Sequence, residues 1–328
     1  MVSKSDRAVI SWLQVVAALI FIMVVLGGAT RLTESGLSMT DWHPVTGWLP
    51  PLSDTAWDAE FTKYKQSPEF IKENSFFEVD DFKQIFWLEF LHRLLGRLIG
   101  LAFALPFLWF LIKGKIPHNM HLKLWGALVL GGAQGFMGWY MVKSGLVDRP
   151  SVSQYRLAAH MGLAVFIYGY LLWLIRDIRG RTRGRLFVWP MLLLMLVFVQ
   201  ILSGAFVAGL DAGVIYNTWP LIDGAFVPGD IYSDPAFYPG LFEDYRIVQF
   251  NHRMIAYLVA IIVVVLWFRH RRFAPIVHGL VAMTLIQIGL GVWTLLMVVP
   301  LWVALAHQAG ALALFTMAVS FAYGSRRR

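Results

Sequence analysis

Long apolar runs constrain this chain more than any other feature of its sequence. Of its 328 residues, 58% are hydrophobic and 15% are charged, whereas about a quarter of a soluble domain is charged. Runs of about 20 apolar residues are long enough to cross a bilayer. We place eight, at residues 9–29, 85–112, 122–142, 157–175, 186–208, 248–268, 275–298 and 301–323. The predicted fold class is an all-α integral membrane protein with eight transmembrane helices. The alternative is six spans, with the second and sixth runs as buried amphipathic helices.

Basic residues gather in the loops that eight spans place on one side of the membrane. They are Lys4, Arg7, Lys113, Lys115, Lys123, Arg176, Arg179, Arg181, Arg183, Arg185, Arg269, Arg271, Arg272, Arg326, Arg327 and Arg328. Because an excess of Lys and Arg marks the cytoplasmic side, we predict a multi-pass membrane protein with both termini in the cytoplasm. The net charge of +8 reflects these anchors, so no nucleic-acid partner is predicted.

Residues 1–180 and 181–328 are predicted to be two copies of a four-helix unit. Their second helices open with matching phrases, Glu89-Phe90-Leu91-His92-Arg93 and Gln249-Phe250-Asn251-His252-Arg253. Their fourth helices share an Ala-His pair, Ala159-His160 and Ala306-His307. Four spans per copy give both copies the same topology, so a pseudo-twofold axis along the membrane normal is expected. We therefore predict two four-helix bundles as the domains.

A Gln-x-x-x-Gly step recurs in three odd-numbered spans. The pairs are Gln134/Gly138, Gln200/Gly204 and Gln287/Gly291. Small residues at this spacing allow transmembrane helices to approach closely. We interpret the step as a helix-packing contact.

Four histidines stand out because each follows the outer end of an even-numbered span at a similar depth. They form two equivalent pairs, His92 with His160 and His252 with His307. An ionisable residue inside a bilayer is costly and points to function. The chain has no cysteine, and zinc favours three or four converging ligands. Two imidazoles on facing helices are instead typical of a low-spin heme, so two bis-histidine hemes are predicted.

Two arginines directly follow histidines of these pairs, and one lies at the outer end of the first span. Arg93, Arg253 and Arg31 are predicted to bind heme propionates. Snorkelling of these side chains to the interface remains open.

The two matching phrases differ at the residue three positions before the histidine. Glu89 stands in the first copy and Gln249 in the second. A carboxylate there can exchange protons, whereas an amide of the same size cannot. We predict that Glu89 is catalytic. Pairing of Glu89 with Arg93 or Arg97 is the structural alternative.

At these residues the chain resembles the heme A synthase family. The resemblance covers the whole chain, and its specific parts are residues 27–38, the Glu89-x-x-His92 motif and Asn217-Thr218-Trp219-Pro220. Some members carry a cysteine pair in an outer loop. This chain has none, so it resembles the cysteine-free branch found in proteobacteria and mitochondria.

The resemblance implies a reaction and an assignment of the two halves. Heme O, the substrate, would lie between His92 and His160, and its C8 methyl would be oxidised to a formyl group to give heme A. A heme b would lie between His252 and His307 and relay electrons. Glu89 matches the catalytic carboxylate of the family.

The implied partners are heme O synthase, cytochrome oxidase assembly factors and a membrane electron acceptor, and a homo-oligomer stays open. The rival function is a diheme membrane cytochrome b that exchanges electrons with quinone. It explains the histidines but not the difference between Glu89 and Gln249.

Overall fold

The computed structural model describes residues 3–42, 46–145, 151–180, 188–229, 237–272 and 274–324. Within these ranges the protein is helical, and its only β contact is an isolated bridge between Ile222 and Ala225. Eight helices have 21 or more residues. They are α1 (Lys4–Leu32), α2 (Val79–Ile112), α3 (His121–Gly145), α4 (Gln154–Ile178), α5 (Val188–Gly209), α6 (Tyr245–His270), α7 (Ile276–Leu296) and α8 (Leu301–Gly324). The predicted all-α class is confirmed.

Seven of these helices, all except α3, are long and apolar enough to cross a membrane. The seven include α2 and α6, so the alternative that treated these two as buried amphipathic helices is not favoured. Helix α3 is 25 residues long, but its mean hydropathy is lowered by Gln134 and by five glycines between Gly126 and Gly138. The count of eight spans therefore stays a prediction.

Helices α2 and α6 begin several residues before their predicted apolar runs because polar caps extend them outward. At α2 the side chain of Asp81 accepts a hydrogen bond from the backbone N–H of Glu78 at 3.1 Å, as part of a capping box. At α6 the carboxylate of Asp244 accepts from the backbone N–H groups of Arg246 and Ile247. Because of these caps, the first turn of each helix precedes its apolar run in the sequence.

The two halves contain the same set of neighbouring helices. In the first half α1 packs on α2 and α4, and α3 packs on α2 and α4. In the second half α5 packs on α6 and α8, and α7 packs on α6 and α8. Contacts of α1 with α8, and of α4 with α5 and α8, join the halves. Small residues allow the close approach there, because a Cβ on Gly169 would lie 2.8 Å from Phe315.

Some residues used to predict orientation cannot be compared with the structure. Arg181, Arg183, Arg185, Arg326, Arg327 and Arg328 lie outside the described residues. The sidedness of the chain and the division after residue 180 stay predictions.

Two short helices, Asp54–Tyr64 and Pro68–Lys72, lie in the segment between α1 and α2. Their aromatic residues pack with the first turns of α2, and the cluster is Trp57, Phe61, Tyr64, Phe82, Ile85, Phe86 and Phe90. A buried polar group lies beside it. The hydroxyl of Tyr64 donates to Glu69 Oε2 at 3.0 Å and accepts from Asn74 Nδ2 at 2.8 Å.

The buried Glu69 makes the stability of this segment depend on pH. Burial raises the pKa of the Glu69 carboxyl from an ordinary 4.5 to about 8, so the fold favours the protonated form. The stabilisation is complete below pH 4.5 and is lost as the pH rises through about 8. We expect the hydrogen-exchange protection factors of residues 54–74, which are corrected for the intrinsic effect of pH on exchange, to fall across this window. In Glu69→Gln this fall should vanish, and an unchanged pH profile of the protection factors would contradict this account.

Candidate functional site

Each of the four paired histidines lies against a glycine of the preceding odd-numbered helix of its pair. A Cβ on that glycine would approach the imidazole Cε1 to 3.3 Å or less, so any larger residue there would crowd the ring. The distances are 2.9 Å for Gly27 and His92, 3.3 Å for Gly138 and His160, 3.2 Å for Gly204 and His252, and 2.8 Å for Gly291 and His307. The same contact thus occurs four times, on α1–α2, α3–α4, α5–α6 and α7–α8.

The repeat predicts that the histidines form two pairs, His92 with His160 and His252 with His307, and this pairing stays a prediction. Across the described ranges, no three His, Asp or Glu side chains converge as a metal cluster would require. Four imidazoles, each beside a glycine of the neighbouring helix, are the donor set that two bis-histidine hemes would need, whereas a zinc site would need three or four ligands in one place.

Three glutamines contact the histidines, and this is the part of the site that the sequence interpretation missed. Each precedes the cradle glycine by four residues. The amide Nε2 lies 3.2 Å from His160 Nδ1 for Gln134, 3.1 Å from His252 Nδ1 for Gln200 and 3.1 Å from His307 Nδ1 for Gln287. Each amide also donates to the backbone carbonyl of the same histidine. The Gln-x-x-x-Gly step therefore does more than pack helices, and its recurrence was the available signal.

Glu89 is buried, and both oxygens of its carboxylate accept hydrogen bonds. Its Oε1 accepts from Arg93 Nη2 at 2.5 Å, and its Oε2 accepts from Ser38 Oγ and from the backbone N–H of Met39, both at 2.7 Å. The pairing with Arg93 that was the structural alternative is therefore present. This ion pair uses only one carboxylate oxygen, because two donors from the loop after α1 bind the other.

Gln249 occupies the matching position in the second half with the opposite polarity toward its loop. Its Nε2 donates to the backbone carbonyls of Ala212 and Tyr216 at 3.0 and 2.7 Å, and its Oε1 accepts from Arg253 at 2.6 Å. The loop after α1 thus presents donors to a carboxylate, and the loop after α5 presents acceptors to an amide. The hydrogen-bonding groups of each loop therefore complement the residue at this position, Glu89 in the first half and Gln249 in the second.

Arg93 and Arg253 clamp these same loops. Arg93 donates to the backbone carbonyls of Asp41 and Met39 at 2.8 and 2.7 Å. Arg253 donates to the carbonyls of Thr218, Pro220 and Leu221. Arg93 Nε is buried and has no hydrogen-bond partner within the described part of the chain. It therefore keeps one donor for a ligand.

Arg31 has a different environment from the other two arginines. Its Nη2 forms an ion pair at 2.6 Å with Asp211, which is about half exposed, and the pair joins the ends of α1 and α5. No equivalent arginine is present in the second half, where Val207 stands at this position. Binding of a propionate by Arg31 stays a prediction.

The chain matches a known protein family over nearly its whole length. A family model described as Cytochrome oxidase assembly protein, COX15-CtaA, matches residues 10–319. The chain belongs to this family.

Individual relatives agree with the family match. The Heme A synthase of Paramagnetospirillum magneticum is 49% identical, over 95% of this chain and 92% of the relative. The Heme A synthase of Nitrosospira multiformis is 48% identical, over 98% of this chain and 95% of the relative. The Heme A synthase of Parvibaculum lavamentivorans is 47% identical, over 97% and 95%. The predicted resemblance to heme A synthases is confirmed.

The two arginine clamps allow the charge of Glu89 to be tested against an internal control. In Arg93→Gln a buried carboxylate loses its cation, which typically costs about 3–5 kcal/mol. In Arg253→Gln a neutral amide loses one donor, which costs about 1–3 kcal/mol. Thermal unfolding of both variants in detergent should therefore show the larger loss for Arg93→Gln. Equal losses would show that the carboxylate charge does not matter for stability.

Proposed function

We propose that this chain is a heme A synthase, an oxidoreductase of the bacterial inner membrane. It oxidises the C8 methyl of heme O to a formyl group and supplies heme A for assembly of cytochrome oxidase. The names of the relatives support the reaction. The observation that carries the proposal is the pair of matched histidine–arginine sites, of which only one contains a carboxylate.

The proposed architecture is eight spans in two four-helix bundles, residues 1–180 and 181–328. The identical neighbour relations of the two halves support it, as do the four histidine–glycine contacts. Both termini lie in the cytoplasm, because basic residues gather in the loops of that side. The histidines then lie toward the periplasmic side.

The two histidine pairs take different roles in the proposal. His92 and His160 hold heme O as the substrate and heme A as the product, and His252 and His307 hold a resident heme b. Heme b supplies the redox-active iron that carries electrons toward a membrane acceptor. Arg93 and Arg253 fix the loops over the two sites, and the free Nε–H of Arg93 is suited to a propionate. Heme O synthase would supply the substrate, and oxidase assembly factors would receive the product.

Glu89 is assigned the proton chemistry. With water as the source of the oxygen atom, conversion of a methyl into a formyl group is a four-electron oxidation (R–CH3 + H2O → R–CHO + 4 H+ + 4 e−). The electrons leave toward the membrane acceptor, and the protons require an acceptor beside the substrate. Glu89 lies on α2 one turn outward of His92, on roughly the same face of the helix. Arg93, Ser38 and the N–H of Met39 hold the carboxylate in place. It is thereby positioned to take up a proton and pass it outward.

Replacement of Glu89 tests this assignment. Glu89→Gln should retain heme at both histidine pairs but lower heme A formation by about 100-fold or more, the usual contribution of a general base. The amide places an N–H group toward loop donors, so heme content must be measured in the same preparation. The matched control is Glu69→Gln, which replaces another buried carboxyl group with an amide and leaves the sequence of α2 unchanged. Heme A formation at the wild-type rate in Glu89→Gln would rule out the catalytic role.

A further inference from the structure

Three of the four paired histidines share a contact that the fourth lacks. His160, His252 and His307 each have a glutamine amide at the ring. At the equivalent position before the cradle glycine of His92, the chain has Met23. The Nδ1 atom of His92 is buried and has no hydrogen-bond partner in the described ranges.

The register of the four contacts is the same, so Met23 occupies the glutamine position. Gly27 meets Cε1 of His92 just as the other three glycines meet their histidines. The methyl of Met23 lies on α2 instead, 3.3 Å from where a Cβ of Gly96 would be. A thioether is only a weak acceptor. His92 is therefore placed by packing alone, whereas the others are placed by packing and an amide.

The glutamines also keep an acceptor that an iron-bound imidazole needs. When one ring nitrogen binds a metal, the other carries a proton and requires an acceptor that fixes the ring. The Oε1 atoms of Gln134, Gln200 and Gln287 are all buried without a hydrogen-bond partner among the residues that the structure describes. If the amide turned over, this oxygen would face the ring nitrogen that carries the proton, so each glutamine is suited to orient its histidine and increase its basicity.

We propose that three glutamines are positioning residues, each of which holds a histidine ring in one orientation; we call this contact a lock. The locked pairs are Gln134 with His160, Gln200 with His252 and Gln287 with His307. His92 has Met23 at this position and is therefore the unlocked ligand. The inference rests on the proposed function and deepens it. The C-terminal pair is locked on both sides, as a resident heme requires. The N-terminal pair has one locked and one releasable imidazole, which suits a heme that must enter as substrate and leave as product.

Gln287→Met is the sharpest test of the lock, because it copies the natural residue at position 23. Among the residues that the structure describes, Gln287 is the only side chain hydrogen-bonded to a ring nitrogen of His307, whereas His252 also has Ser203 Oγ at 3.2 Å from Nδ1. Release of heme B to excess apomyoglobin should accelerate by about 10- to 100-fold, the typical effect of removing such a partner. The midpoint potential should rise and the low-spin EPR signal should shift. Gln200→Met should show a smaller change.

The matched control is Gln308→Met. Its amide also lies within the helices and donates to the backbone carbonyl of Val24 at 2.9 Å, but within the described part of the chain no hydrogen bond joins its side chain to a histidine ring. We expect its heme B release and EPR signal to match the wild type. Release and spectra that change equally in Gln287→Met and Gln308→Met would overturn the proposal, since they would report loosened packing.

The converse variant, Met23→Gln, adds the missing amide beside His92. Heme O or heme A should leave the N-terminal site more slowly, by a factor similar to that for Gln287→Met, whereas Met23→Leu should release it at the wild-type rate. Identical release from these two variants would contradict the unlocked role of His92. Heme B release from the C-terminal pair does not depend on catalysis. If the protein makes no heme A, the proposed function is refuted, whereas the rates of heme B release still test the positioning role of the glutamines.

Discussion

The close contact between one histidine and one glycine on neighbouring helices is the constraint on which the rest of the structure depends. An imidazole among membrane helices needs room, and a Cβ at any of the four glycines would crowd its Cε1. Repetition of this contact on four helix pairs sets the register of α1 against α2, α3 against α4, α5 against α6 and α7 against α8. The same histidine–glycine contact, present twice in each half, therefore gives the two halves matching sites.

The difference between the sites lies in how loops and helices were adapted around that shared contact. Ser38 and Met39 offer donors to Glu89, whereas Ala212 and Tyr216 offer carbonyls to Gln249. A carboxylate can only accept, and an amide can do both, so neither residue suits the loop of the other. The carboxylate therefore belongs to a site with its own electrostatic environment, which supports the proposal that this half carries out the reaction.

Much of this arrangement could be predicted from sequence because it depends on length, periodicity and repetition. Apolar runs predicted the helices, whereas the pairing of the histidines that the repeat predicted stays a prediction. Contacts between different helices were harder to predict from the sequence. The role of Gln134, Gln200 and Gln287 depends on which helix faces which histidine, and the step alone resembles a packing motif. The ion pair of Arg31 with Asp211 joins residues 180 positions apart, which no local pattern indicates. Caps outside the apolar runs set the starts of α2 and α6.

The central claim is that one duplicated site holds an exchanging heme substrate and the other a resident heme b. Extraction of the hemes from purified wild-type protein, followed by mass analysis, tests it most directly. The account predicts heme B together with heme O or heme A in the same preparation. Heme B alone would contradict it and would favour a diheme membrane cytochrome b.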